Sequence, residues 1–176
     1  MKRTEYCSSL TEAEMEQIKP CLIVKRRSKW PLLNILNAIL YGCDGGIKGR
    51  DLPHDFDVPW TTVYWYFRKW TRQGVWQAVN DQMVMLCRMQ KGAAPSPSFA
   101  VVDSQTVHNT PTAKEEVGYA GGKKIKGRKP LMVVDSQGHR LCVRVVSAAV
   151  HDGTAALLWW KQELKTTPLL SGIERL

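Results

Sequence analysis

The sequence predicts an α+β protein, with an all-helical N-terminal part followed by a part built from a strand, a β-hairpin and a helix. Three observations carry that reading. Up to residue 91, apolar residues recur at helical spacing. Gly92-Ala93-Ala94-Pro95-Ser96-Pro97-Ser98 then breaks the pattern as a linker. Beyond it, Phe99-Ala100-Val101-Val102 is a short, wholly apolar run, and two more strand-like runs follow. A chain of 176 residues holds one ordinary domain or two small ones, so the expected division is 1–91, 92–98 and 99–176.

Leu10-Thr11-Glu12-Ala13-Glu14-Met15 opens the first helix, with Thr11 as cap, Glu14 closing a capping box and Leu10 placed to staple against Met15. Pro20 ends it. After the basic run Lys25-Arg26-Arg27, Pro31 opens a second helix, whose apolar face (Leu32, Leu33, Leu36, Ile39, Leu40) lasts until Gly42. Residues 42–59, rich in Gly, Pro and charge, read as a loop with room for one short helical turn. A third helix starts at Trp60, with Thr61 or Thr62 as cap. Val63, Phe67 and Trp70, with Tyr66 beside them, face inward; Trp65, Arg68, Lys69 and Arg72 share another face. Gly74 punctuates, and Val75 to Met89 form the next helix. After the linker, the Phe99 run reads as a strand buried on both faces and ending in Asp103. Residues 108–130 read as a loop, Leu131–Asp135 and Arg140–Ser147 as a hairpin, and Thr154 to Lys165 (with Ala155, Leu158, Trp159 and Leu164) as an amphipathic helix. Three strands and a helix leave an exposed sheet edge beside the first strand.

The formal charge is +9, and it is uneven. Residues 121–150 carry seven bases against Asp135, and residues 58–91 carry Arg68, Lys69, Arg72, Arg88 and Lys91 against Asp81. Two basic patches point to a polyanion partner, most simply nucleic acid. No stretch is long and apolar enough to cross a membrane, and nothing at the N-terminus resembles a secretory signal, so no membrane partner and a cytoplasmic, nucleoid-associated location are expected. Cys7, Cys21, Cys43, Cys87 and Cys142 form no C-x-x-C pair and read as reduced thiols.

Asp103 is the sharpest chemical candidate. A carboxylate ending an apolar strand is expensive unless cations or donors compensate it, and its oxygens suit a hard ion such as Mg²⁺. A strand-end aspartate capping the next turn is the bland alternative. Asp135 at a hairpin turn, Asp152 at a strand-to-helix junction and Glu174 near the end are weaker candidates, and His54, His108 and His151 lack ligand spacing. The loop Lys123-Lys124-Ile125-Lys126-Gly127-Arg128-Lys129 suits phosphate contact, with Gly121, Gly122 and Gly127 allowing close backbone approach; a solvated loop would carry the same residues.

Asp103-Ser104-Gln105-Thr106-Val107, followed by Gly118-Tyr119-Ala120-Gly121-Gly122 and that basic segment, closely resembles the start of the catalytic domain in bacterial insertion-sequence transposases of the insertion-sequence-5 family. Leu36-Asn37-Ala38-Ile39-Leu40-Tyr41, Arg50-Asp51-Leu52-Pro53-His54-Asp55-Phe56 and the run from Trp60 to Trp70 look like that family's helical DNA-binding region. The resemblance implies a helix-turn-helix-like domain at 1–91 and a partial ribonuclease-H-like domain at 99–176. It implies three acids holding two divalent ions, Mg²⁺ or Mn²⁺, in the complete enzyme, with none bound tightly to this chain. Asp103 matches the first acid, as catalytic residue and metal ligand. The chain stops about where a fourth strand would begin, so a truncated transposase, inactive alone, is expected. Trp65, Arg68, Lys69 and Arg72 become the expected contacts to the terminal inverted repeats. Lys123, Lys124, Lys126, Arg128 and Lys129 become those to transposon-end or target DNA, and a homo-oligomer is implied. The alternative is a stand-alone DNA-binding regulator of the full-length transposase. Two departures stand out: Gly49 occupies a position where Trp is expected, and Ala120 one where Asp is common.

Overall fold

The computed structural model describes residues 6–22, 24, 28–110, 115, 117–163 and 169. The Lys25–Arg27 run, Leu164, Lys165 and Glu174 lie outside these, as do the side chains of Leu158 and Trp159. The chain divides into two compact units after Val79, inside a helix.

The first unit holds α1 (Glu12–Ile18), α2 (Leu32–Gly45), α3 (Trp60–Arg72) and the start of α4 (Val75–Gln90). Its first helix begins as the sequence predicts: Glu14 N–H donates to Thr11 Oγ1 at 3.3 Å, and Thr11 N–H donates to the Glu14 carboxylate at 2.8 Å. Pro31 caps α2 rather than lying inside it, and α2 does not stop at Gly42. A glycine can be carried within a helix, and termination waits for Gly46, whose left-handed backbone (φ 59°) a glycine adopts without strain. The buried side of α2 is Ile35, Leu36, Ala38 and Ile39, while Leu32, Leu33 and Leu40 are half-buried. Asn37 is also buried. Its amide accepts from Leu10 N–H at 2.8 Å and donates to the Leu10 carbonyl at 3.2 Å, pinning the segment before α1 to α2.

Two single 3₁₀ turns, Gly49–Asp51 and His54–Phe56, follow α2. Phe56 is buried between the Tyr6 and Tyr41 rings, 5.3 and 5.5 Å away. The Tyr6 hydroxyl donates to Asp55 at 2.7 Å, and chiefly that bond pushes the phenol up to about 12. The cap of α3 is Pro59, not Thr61 or Thr62: no side chain caps this helix, because proline already holds the entering backbone extended and Trp60 becomes the first helical residue. Val63, Tyr66 and Trp70 are buried, Phe67 half-buried. Trp70 is fully enclosed and meets Trp76 edge-on at 5.6 Å. A cavity of about 290 Å³, walled by apolar side chains including Ile39, Cys43, Trp60, Val63 and Phe67, opens beside Gly49. A Cβ on Gly49 would meet only the Trp60 ring, at 3.5 Å.

The second unit is organised by β4 (Ile125–Asp135). Along one side it pairs with β1 (Ala100–Ser104) and β2 (Val107–His108); along the other with β3 (Gly118–Ala120) and β5 (Arg140–Ser147), all antiparallel. Part of the expected loop 108–130 is therefore sheet: β3 and the first half of β4 make a hairpin around the turn 121–124. Leu131 and Val133 of β4 face inward with Leu141 and Cys142, against Val84 of α4, Ala155 of α5 (Asp152–Glu163) and Leu169. A bulge between Val133 and Val134 lets the consecutive Leu141 and Cys142 both point inward. The opposite face stays open among the described residues, with Val101, Met132, Val143 and Val145 each more than two-fifths exposed. The expectation of a first strand buried on both faces is thus corrected: β1 alternates between half-buried and exposed positions. Among the described residues, β1 pairs on one edge only.

A buried ion pair ties this unit together. Asp135 accepts from Arg88 at 2.5 Å, from the backbone N–H groups of His139 and Gln137 at 2.8 and 2.9 Å, and lies 3.1 Å from His139 Nδ1. Arg88 also donates to the Ala94 carbonyl at 2.8 Å, fixing the start of the segment 92–98. Arg88 is therefore no part of a surface patch for polyanions. Burial pushes the Asp135 carboxyl up, but hydrogen bonds from His139, Arg88 and Gln137 outweigh it and hold it at about 2. Removing this carboxylate strands a buried guanidinium. Asp135→Ala is expected to cost the second unit about 3–5 kcal/mol in urea unfolding. Because the folded carboxyl titrates below its unfolded value of 3.8, its contribution is complete above about pH 4 and is lost toward pH 2. In the first unit, Gly49→Trp is expected to fill the cavity, gaining about 0.5–2 kcal/mol; an unchanged or lower thermal midpoint would count against it.

Candidate catalytic carboxylate and nucleic-acid surfaces

Asp103 lies near the end of β1 and is exposed. Its cross-strand partner is the exposed Met132, whereas Ser104 pairs with the buried Leu131, so strand alternation places Asp103 on the open face and Ser104 on the covered one. Asp103 therefore meets water and is not the carboxylate enclosed by a doubly buried strand that the sequence predicts. Asp103 accepts from the Ser104 N–H at 2.8 Å and, among the described residues, takes part in no ion pair. An exposed carboxylate with spare oxygen lone pairs fits one coordination position of a hard divalent ion. No group of three or more His, Cys, Asp or Glu suited to a metal occurs among the described residues.

Asp103 borders a small cleft together with Ser104, Leu131, Asp152, Gly153 and Ala156, at the N-terminus of α5. Asp152 is already engaged there. Lys129 reaches it at 2.6 Å and Ser104 Oγ donates to it at 3.0 Å, and these two hydrogen bonds hold its carboxyl below the usual range. The Lys129 ammonium also donates to the Val150 carbonyl at 2.6 Å. The network staples β1, β4 and the start of α5 together directly behind Asp103.

The basic segment 123–129 does not act as one loop. Lys123 and Lys124 are exposed in the turn, and Lys126 is exposed on β4. Arg128 is half-buried, its Nε donating to the Glu115 carbonyl at 3.0 Å. Lys129 is buried and committed to Asp152, because the period of two along β4 sends odd-numbered residues inward. Gly127 has a sheet role: a Cβ there would collide with the Val107 carbonyl, while Gly121 and Gly122 have open space.

On α3, Trp65, Arg68 and Arg72 are exposed and Lys69 is half-buried, its ammonium 4.9 Å from the Trp65 ring centre. Tyr64, absent from the sequence-based set, is half exposed, with Arg68 5.7 Å from its ring centre. Its position one turn before Arg68 was the available signal.

Helices leading into an antiparallel sheet, with an exposed aspartate on the first strand, are compatible with a transposase of the DDE type. Residues 94–172 match the family described as "Transposase DDE domain", and residues 10–80 match "Putative transposase of IS4/5 family (DUF4096)". The chain belongs to the DDE transposases of the IS4/5 type. No match was found among curated proteins or solved structures. No helix among the described residues is long and apolar enough to cross a membrane.

Lys129→Met keeps most of the stem but removes the ammonium from both partners. It is expected to cost about 1–3 kcal/mol and to speed amide hydrogen exchange at the start of α5; unchanged exchange at 152–156 would contradict the staple.

Proposed function

We propose that this polypeptide is the transposase of an insertion sequence, binding the element's terminal repeats and contributing Asp103 to metal-dependent DNA strand cleavage and transfer. The second unit then belongs to the ribonuclease-H-like class. The observation that carries this is the exposed Asp103, in no ion pair among the described residues, at a sheet position braced by Ser104, Asp152 and Lys129. Divalent ions, Mg²⁺ or Mn²⁺, supply activation of the attacking oxygen and stabilisation of the leaving one when bound. Asp103 offers one anionic ligand, and Lys123, Lys124 and Lys126, farther along β4 and its turn, neutralise phosphates of the same DNA. With Asp152 committed to Lys129, Asp103 has no second free acid among its described neighbours, so this 176-residue chain by itself binds DNA without cutting it.

The helical part, with α3 as its reading element, contacts the duplex. Trp65 and Tyr64 supply planar apolar surface and Arg68, Lys69 and Arg72 supply phosphate or base-edge contacts.

Electrophoretic titration on the element's inverted-repeat duplex tests both halves. Replacing Arg68 and Arg72 together by Ala is expected to weaken binding about ten-fold or more and to reduce the salt slope by about 2. Equal binding by the double variant would remove α3 from the interface. Cleavage by the chain alone in Mg²⁺ or Mn²⁺ would overturn the single-carboxylate reading, while specific binding without cleavage is also what a regulator would show.

A further inference from the structure

We propose that the β3–β4 hairpin is a stacking site for an unpaired DNA base, with Tyr119 as the platform and Lys123, Lys124 and Lys126 holding the flanking phosphates. The inference deepens the transposase reading and rests on it. Tyr119 is 57 % exposed. It pairs across the strands with Lys126, so ring and ammonium share the open face. Lys123 and Lys124 lie in the turn joining the two strands, four residues from Gly121 to Lys124. A lone exposed tyrosine is ordinary on a protein surface. One with a cross-strand lysine and two more lysines in the adjoining turn has the composition of a single-strand site, where bases stack on aromatics and basic side chains follow the backbone.

The backbone beneath the ring is held tightly. Gly118 and Gly127 are cross-strand partners, and neither position admits a Cβ. One on Gly118 would collide with Ser147 and Ala149, and one on Gly127 with the Val107 carbonyl. The hairpin is thereby clamped against β5 on one side and β2 on the other. A fixed platform loses little entropy when a base lands on it. On the turn itself, Gly121 and Gly122 have open space around them, which leaves room for a nucleic-acid backbone. Placement agrees as well: Tyr119 and Lys126 lie on the same open face of the sheet as Asp103, farther along β4. An unpaired base fits better than a paired one. In an intact duplex both faces of each base are already stacked, whereas a base freed near a strand end has a face for the phenol ring.

The test uses the full 176-residue chain and two oligonucleotides of one sequence containing 2-aminopurine. One is a blunt duplex; the other has a three-nucleotide single-stranded end that carries the fluorophore. The wild-type chain is expected to favour the single-stranded end by about five-fold or more and to quench its fluorescence. Tyr119→Ala should abolish the preference and the quench while leaving blunt-duplex affinity and the circular dichroism spectrum unchanged. Tyr119→Phe should keep both. An undiminished preference in Tyr119→Ala, or equal affinity of the wild type for both oligonucleotides, overturns the hairpin proposal and leaves the transposase reading standing. Binding to neither overturns the DNA-binding reading itself.

Discussion

Everything in the second unit depends on β4. Its eleven residues pair along both edges, with four other strands, so neither its register nor its face can shift without breaking several ladders at once. That single constraint decides which of the five cations between 123 and 129 reach solvent. It turns Lys129 inward to Asp152 and leaves Lys126 outside, although nothing in their side chains distinguishes the two. It also sets Asp103 opposite Met132 on the open face.

A buried charge network reinforces that frame where β4 turns into β5. Taking a guanidinium and a carboxylate out of water is costly, and the pair is tolerated because every lone pair it uses is answered: Asp135 has backbone donors from Gln137 and His139 as well as Arg88. Such a cluster has few alternative geometries. It fixes the end of α4 to the hairpin turn and, through Ala94, the entry to β1. The strand that carries Asp103 therefore leaves a held point rather than a loose linker.

The two units carry different exposed chemistry. α3 presents aromatic and basic side chains on one helix face, whereas the β3–β4 hairpin presents one ring and separate cations on a ribbon. The family assignment joins them in one polypeptide whose substrate is DNA. Beside Asp103 the sheet face of Val101, Met132, Val143 and Val145 is apolar and exposed among the described residues.

The amino-acid sequence alone determined what depends on near neighbours. The capping box at Thr11, the faces of α3, the break at Gly74 and the β4–β5 turn are local patterns, and the family motif around Asp103 could be read without coordinates. Long-range pairing decided the rest. The basic stretch has the low strand propensity of Gly and Lys, yet from Ile125 on three partner strands, β2, β3 and β5, impose the extended form, and Gly127 is needed for the closeness of β2. Arg88 and Lys129 counted as surface charge until partners more than twenty residues away in sequence, Asp135 and Asp152, drew them inside. Charge can be counted along a chain; whether it faces water is settled only by what folds against it.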